Sequence, residues 1–130
     1  MLDTNICIYC IRRSPRKVFE RMQDQEIGDV TISAITYSEL QFGVANSSDP
    51  EQNGIALAEF IAPLEIANYT ADIAETYGSI RSFLKRKATL IGPLDLLIAA
   101  HALRLESTLV TNNVREFARI PGLNIENWAR

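Results

Sequence analysis

The chain has 130 residues, 47% apolar and 22% charged, which is material for one core and too few charges for a disordered chain. Its net charge of −3 argues weakly against a nucleic-acid partner, because phosphates favour basic surfaces. No basic-then-apolar leader stands before Asp3, and the longest apolar run of the second half, residues 96–100, is far short of the ~20 residues that span a bilayer, so a cytoplasmic place is expected.

In chain order, residues 1–3 read as the end of a short first strand. A helix starts over residues 6–11 and breaks at Ser14-Pro15, where Pro15 opens a second helix running through Met22. Residues 30–33 form a β-rich strand. Ile35, Leu40 and Val44 recur at roughly helical spacing, which predicts a helix over residues 34–45. Residues 46–50 are a polar loop, and residues 52–61 are helical, stopped near Pro63. A short strand covers residues 64–66. Thr70 caps a long helix running to about Lys87, with Ile73, Tyr77, Ile80 and Leu84 on one face. Gly92-Pro93 is a break. Residues 94–105 form a helix apolar nearly all round, which should be buried. Residues 108–111 are a strand, residues 114–117 a helical turn, and residues 124–125 a last edge strand. The alternation predicts one α/β domain over residues 1–130, a three-layer α/β/α arrangement around a mainly parallel sheet. In such folds the site lies at the carboxyl ends of the strands.

Cys7 and Cys10 are the only two cysteines, in C-x-x-C spacing. A zinc site would need two more ligands, and the chain adds only one histidine, His101. A redox pair usually follows a longer strand. The favoured reading is a pair of small apolar residues on a helix near the core.

Three acids stand where acids are expensive. Asp3 ends the first strand, Glu39 lies between apolar neighbours in mid-helix, and Asp95 opens the most apolar helix. Each also has an ordinary reading: Asp3 and Asp95 as helix-start acids, favoured there by the dipole, and Glu39 as a solvent-facing residue. A fourth feature is the strand that runs into the polar turn Thr111-Asn112-Asn113. Clustered carboxylates repel unless a cation binds them, and oxygen ligands without His or Cys select Mg²⁺ or Mn²⁺.

Four motifs in this order carry a family resemblance: L-D-T-N-I from Leu2, S-E-L-Q-F-G from Ser38, G-P-L-D-L-L-I-A from Gly92 and V-T-N-N-V-R-E-F from Val110. With them the chain resembles PIN-domain ribonucleases, most closely the VapC toxins of bacterial toxin–antitoxin pairs, over nearly its whole length. The resemblance implies that Asp3 and Asp95 are the main metal ligands. Glu39 completes the acidic cluster directly or through water, and Asn5 and Thr111 orient carboxylates and bound water. Many relatives carry Asp where this chain has Asn113. Asn113 offers a carbonyl oxygen without charge, and Glu116, one helical turn on, is the other candidate for the fourth ligand; its ordinary reading is a surface pair with Arg115 or Arg119.

The implied chemistry is metal-assisted phosphodiester hydrolysis, in which a metal-activated water is the nucleophile. A metal-free ribonuclease usually wants two acid–base groups, commonly His. The lone His101 is read as structural or partly exposed. Arg12, Arg13, Arg16 and Lys17, with Lys85 and Arg86, are candidate RNA contacts, although Lys85 and Arg86 also suit a helix C-terminus. The resemblance further implies a structured RNA substrate, tRNA first and initiator tRNA among the candidates. It implies a homodimer, with Phe42 and Ile61 as candidate interface residues. It also implies a VapB-type antitoxin, through which alone operator DNA would be bound. Two other classes remain open: a catalytically dead binding module acting with an antitoxin, suggested by Asn113, and an aspartyl phosphatase. The latter usually wants a second Asp two residues after the first, where this chain has Asn5.

Overall fold

In the computed structural model, which describes residues 1–26 and 28–130, every strand pairing is parallel. β1 (Thr31–Ser33) pairs with β2 (Glu65–Ala67), and β3 (Leu109–Val110) pairs with β4 (Ile125–Glu126). Leu2 joins the two pairs by bridging to Ile32 and to Val110, so the order across the sheet is β2, β1, Leu2, β3, β4. The expected first strand is therefore central but reduced to one bridged residue. Its backbone is still fully used: Leu2 N–H donates to Thr31 at 3.0 Å, Asp3 N–H to Val110 at 3.0 Å, and Val110 N–H to Met1 at 2.8 Å.

Successive side chains of a strand point to opposite faces, and the two cores follow that rule. Met1 and Leu109 face one core, with Ile73, Ile80 and Leu84 of α5 (Ile73–Arg86), Ile98 of α6 (Pro93–Arg104) and Phe117 of α7 (Val114–Phe117). Leu2, Ile32 and Val110 face the other, with Ile6 and Cys7 of α1 (Thr4–Arg12), Val18 of α2 (Arg16–Gln23), Leu40 of α3 (Ala34–Ala45) and Leu57 of α4 (Pro50–Ile61). Each fully buried Ile, Leu or Phe contributes about 1.5–3 kcal/mol by leaving water. The result is the expected α/β/α layering around a parallel sheet.

Four details differ from the sequence expectation. Thr70 does not cap α5: its hydroxyl bonds the Asp72 side chain, and the helix begins after Asp72. α4 begins two residues early, because Asp49 caps it through Gln52 N–H at 3.2 Å and Pro50 supplies the preset first turn. α6 is buried along its middle but not at its ends, where Leu94 and Leu105 are exposed. Ile61 packs half-buried against the second core, whereas Phe42 is 68% exposed, so only Phe42 of that pair is free to meet a partner. Among the described residues no helix is long and apolar enough to cross a membrane.

Candidate active site

The parallel sheet brings the start of α1 beside the end of β3. Asp3 stands at that junction, 4% exposed, and both carboxylate oxygens are engaged. Oδ1 accepts from Ile6 N–H at 2.9 Å, so Asp3 does cap α1. Oδ2 accepts from the Thr111 hydroxyl at 2.5 Å. Thr111 Oγ1 in turn accepts from Asn113 N–H at 2.9 Å, which ties the polar turn after β3 to the same carboxylate. Capping and site roles are compatible here, because each carboxylate oxygen has a second lone pair for another donor or a cation.

Glu39 lies half-buried on α3, and Thr4 Oγ1 donates to its Oε1 at 2.6 Å. The hydroxyl that holds Glu39 is that of Thr4. Asn5 is exposed, and among the described residues it makes no side-chain hydrogen bond to a carboxylate. Thr4 is the site residue that the sequence reading missed. Its only signal was its place beside Asp3 at the first turn of a helix.

Asp95 sits half-buried in the first turn of α6. Its carboxyl is pushed up to about 6, first by burial and then by the charges of Asp3, Glu39 and Glu116. Asp3, Glu39 and Glu116 thus all lie within electrostatic reach of Asp95. The Asp3 carboxyl is also raised, by burial first and by Glu39 last, against the lowering effect of its bonds to Thr111 and Ile6. Among the described residues, no three His, Cys, Asp or Glu side chains are drawn into a tight cation cage. Burial and like charge both disfavour the ionised form of Asp3 and Asp95.

Glu116 makes no ion pair with Arg115 or Arg119 among the described residues. Arg119 donates instead to the carbonyls of Thr89 and Leu90. Asn113 is half-buried and precedes α7 without capping it through its side chain. Of the candidate RNA contacts, Arg12 shares a groove with a site acid: about 200 Å³ lies between α1, α3 and α4, lined by Arg12, Glu39, Leu40 and Val44 among others. Arg13 stacks on Phe19, Arg16 pairs with Glu20 at 2.8 Å, and Arg86 reaches Ser82. Lys17 and Lys85 are exposed.

The remaining reactive side chains lie outside the cluster. Burial pushes the Cys7 thiol well up and Cys10 to about 11, so both stay protonated at neutral pH, as core residues do. His101 is wholly buried, which selects the structural of the two readings offered for it over partial exposure. The donor set at the cluster is therefore oxygen alone, from carboxylates and the hydroxyls of Thr4 and Thr111. That set fits a hard divalent cation and not zinc.

Comparison with known proteins gives the family. A family model for the PIN domain matches residues 1–123. The chain is 44% identical to ribonuclease VapC2 of Rickettsia felis, over 98% of this chain and 96% of that protein. It is also 44% identical to the tRNA(fMet)-specific endonuclease VapC of Salmonella typhimurium, over 98% and 96%. Its fold is similar to the crystal structure of VapBC2 from Rickettsia felis bound to a DNA fragment from their promoter, with a TM-score of 0.90 and 42% identity over 98% of this chain and 97% of that one. In sequence and in fold, over nearly its whole length, the chain belongs to the PIN-domain family, in its VapC branch.

Proposed function

We propose that residues 1–130 form one PIN-like nuclease unit, a Mg²⁺-dependent endoribonuclease, Mn²⁺ serving in its place, that cleaves structured RNA and is held in check by an antitoxin. The observation that carries this reading is the grouping of Asp3, Glu39 and Glu116 around Asp95, whose carboxyl is raised to about 6, first by burial and then by the charges of the other three. Asp3 and Asp95 are the main ligands, Glu39 the third acid, and Glu116 or the Asn113 carbonyl the fourth. Thr111 and Thr4 hold Asp3 and Glu39 in place. When bound, a divalent cation supplies the Lewis acidity that ionises a water and offsets charge gathering on the scissile phosphate. The carboxylates would orient that water, and Arg12, which lines a groove together with Glu39, would meet the phosphate chain.

A tRNA is the favoured substrate, and the initiator species is supported by the name of the Salmonella relative. The antitoxin is VapB-type and alone carries operator DNA, as the promoter-bound VapBC2 complex supports. The exposed Phe42 is a candidate for the homodimer contact, and the cytoplasm is the place of action.

Incubation of RNA with and without Mg²⁺, with product ends mapped, tests the reading. Water as nucleophile leaves a 5′-phosphate and a 3′-hydroxyl. Products ending in 2′,3′-cyclic phosphate would contradict it. Asn113, in a position where an acid would add charge, favours one second reading: a binding module that holds RNA or antitoxin without cutting. Mg²⁺-independent RNA binding with no cleavage would select it.

A further inference from the structure

Two buried hydrogen bonds meet on one hydroxyl. Ser33 closes β1 and caps α3, where its Oγ accepts from Ile35 N–H at 3.0 Å. The same Oγ lies 2.7 Å from Nδ1 of His101, in the body of α6. Both residues are 0% exposed, so water cannot substitute for either partner. A serine hydroxyl has one proton and accepts through its lone pairs. With Ile35 N–H as its donor, Ser33 uses that proton only if Nδ1 accepts it. The ring proton then sits on Nε2, which has no protein partner. Tyr69 packs edge-on against the ring at 5.5 Å between centroids. Burying an imidazole with one nitrogen unpaired costs free energy that a leucine in this apolar helix would not.

What His101 adds is a fixed point between two helices. α3 carries Glu39 and α6 carries Asp95, and these helices pack on each other. Glu39 is six residues beyond Ser33 and Asp95 six residues before His101, each about 9 Å along its own helix at ~1.5 Å per residue. We propose that His101 is a positioning residue: its bond to Ser33 clamps α6 to the start of α3 and so sets the separation of Asp95 from Glu39. The proposal rests on the reading of those carboxylates as the cation site.

Three variants test it. His101→Leu removes the acceptor, and His101→Asn offers Oδ1 near the place of Nδ1. Ser33→Gly removes the hydroxyl while keeping a residue tolerated at a helix N-cap. Mg²⁺ affinity is read from backbone amide shifts, without RNA. The expected result is roughly tenfold weaker Mg²⁺ binding in His101→Leu and Ser33→Gly, at the low end of what losing an outer contact costs, and recovery in His101→Asn. Unchanged affinity in folded His101→Leu and Ser33→Gly would overturn the clamp, since a purely structural bond changes melting alone. If the parent shows no Mg²⁺-dependent shifts, the cation reading fails on its own. The Asp95–Glu39 separation in crystals of metal-free His101→Leu then decides the clamp: a changed separation supports it and an unchanged one overturns it.

Discussion

The two sides of the acidic cleft are built differently. On the Asp3 side both oxygens of Asp3 and one of Glu39 have a protein partner: Ile6 N–H and Thr111 hold Asp3, and Thr4 holds Glu39. On the Asp95 side the acids are half exposed, and Asp95 and Glu116 stand near one another without a side-chain hydrogen bond or an ion pair among the described residues. Hydrogen bonds to a carboxylate favour its charged form, while burial and like charges oppose it. Asp3 therefore has compensation built into the fold, and Asp95 has only the N-terminal end of α6. The first side is preorganised by the protein, and the second is the side where an added positive charge changes most.

Removing a ligand charge on the second side should have the largest effect on activity. Asp95→Asn keeps the shape and should lower RNA cleavage by at least about a hundredfold, since charge stabilisation at such sites is worth several kcal/mol. Cleavage within a few-fold of the parent would remove Asp95 from the site. Next in size, Thr111→Val should act on the first side through stability. It strips Asp3 of its hydroxyl partner and Asn113 N–H of its acceptor, so denaturant unfolding should show a loss of about 1–3 kcal/mol. A neutral result would mean that the first side is no more preorganised than the second.

The fourth ligand should show a smaller effect, of a few-fold in the Mg²⁺ needed for half-activation. If Glu116 supplies it, Glu116→Gln raises that concentration and Asn113→Ala does not; the reverse pattern assigns Asn113. Equal, unchanged titrations would leave a site of three carboxylates.

The pH dependence is the finest distinction. Asp95 holds its proton up to about 6 when folded but only to the ordinary carboxylate range when unfolded. Between those values the folded state binds more protons, so metal-free stability falls as pH rises from about 4 to 6. Asp3 is shifted in the same direction. His101, held down by burial, works the other way. The Asp95 part is therefore read as the difference between the unfolding profiles of the parent and Asp95→Asn. A parent profile no steeper than the mutant's would refute the coupling.

Much of the fold was legible because periodicity and turn chemistry are local. Residues 34–45 form α3 as their spacing predicts, and the strand–helix alternation yields a parallel sheet. What escaped depends on distant partners. The first strand shrinks to Leu2 because neighbours on both sides complete it, and Thr70 turns to Asp72 instead of capping α5. In the site, each acid alone had an ordinary local reading. Only the ordered motifs suggested that Asp3, Glu39 and Asp95 act together. Whether Thr4 or Asn5 faces Glu39 depends on where α1 starts and how it packs on α3, and a pattern of residue types does not encode that angle. The burial of His101 is set by Ser33 and Tyr69, which lie far from it in sequence.

The central claim is that these carboxylates form a cation site whose open side is Asp95. Thermal melting of the parent and of Asp95→Asn, each with chelator and with millimolar Mg²⁺, tests it most directly. A ligand bound only by the folded state stabilises it by RT ln(1 + [L]/Kd), about 2.7 kcal/mol at a hundredfold excess over Kd. Mg²⁺ should raise the parent's Tm clearly and the mutant's much less, and in chelator the mutant should melt at least as high as the parent, because a repelled charge is gone. A mutant that melts well below the parent in chelator, with the same response to Mg²⁺, would make Asp95 a structural helix-start acid and contradict the account.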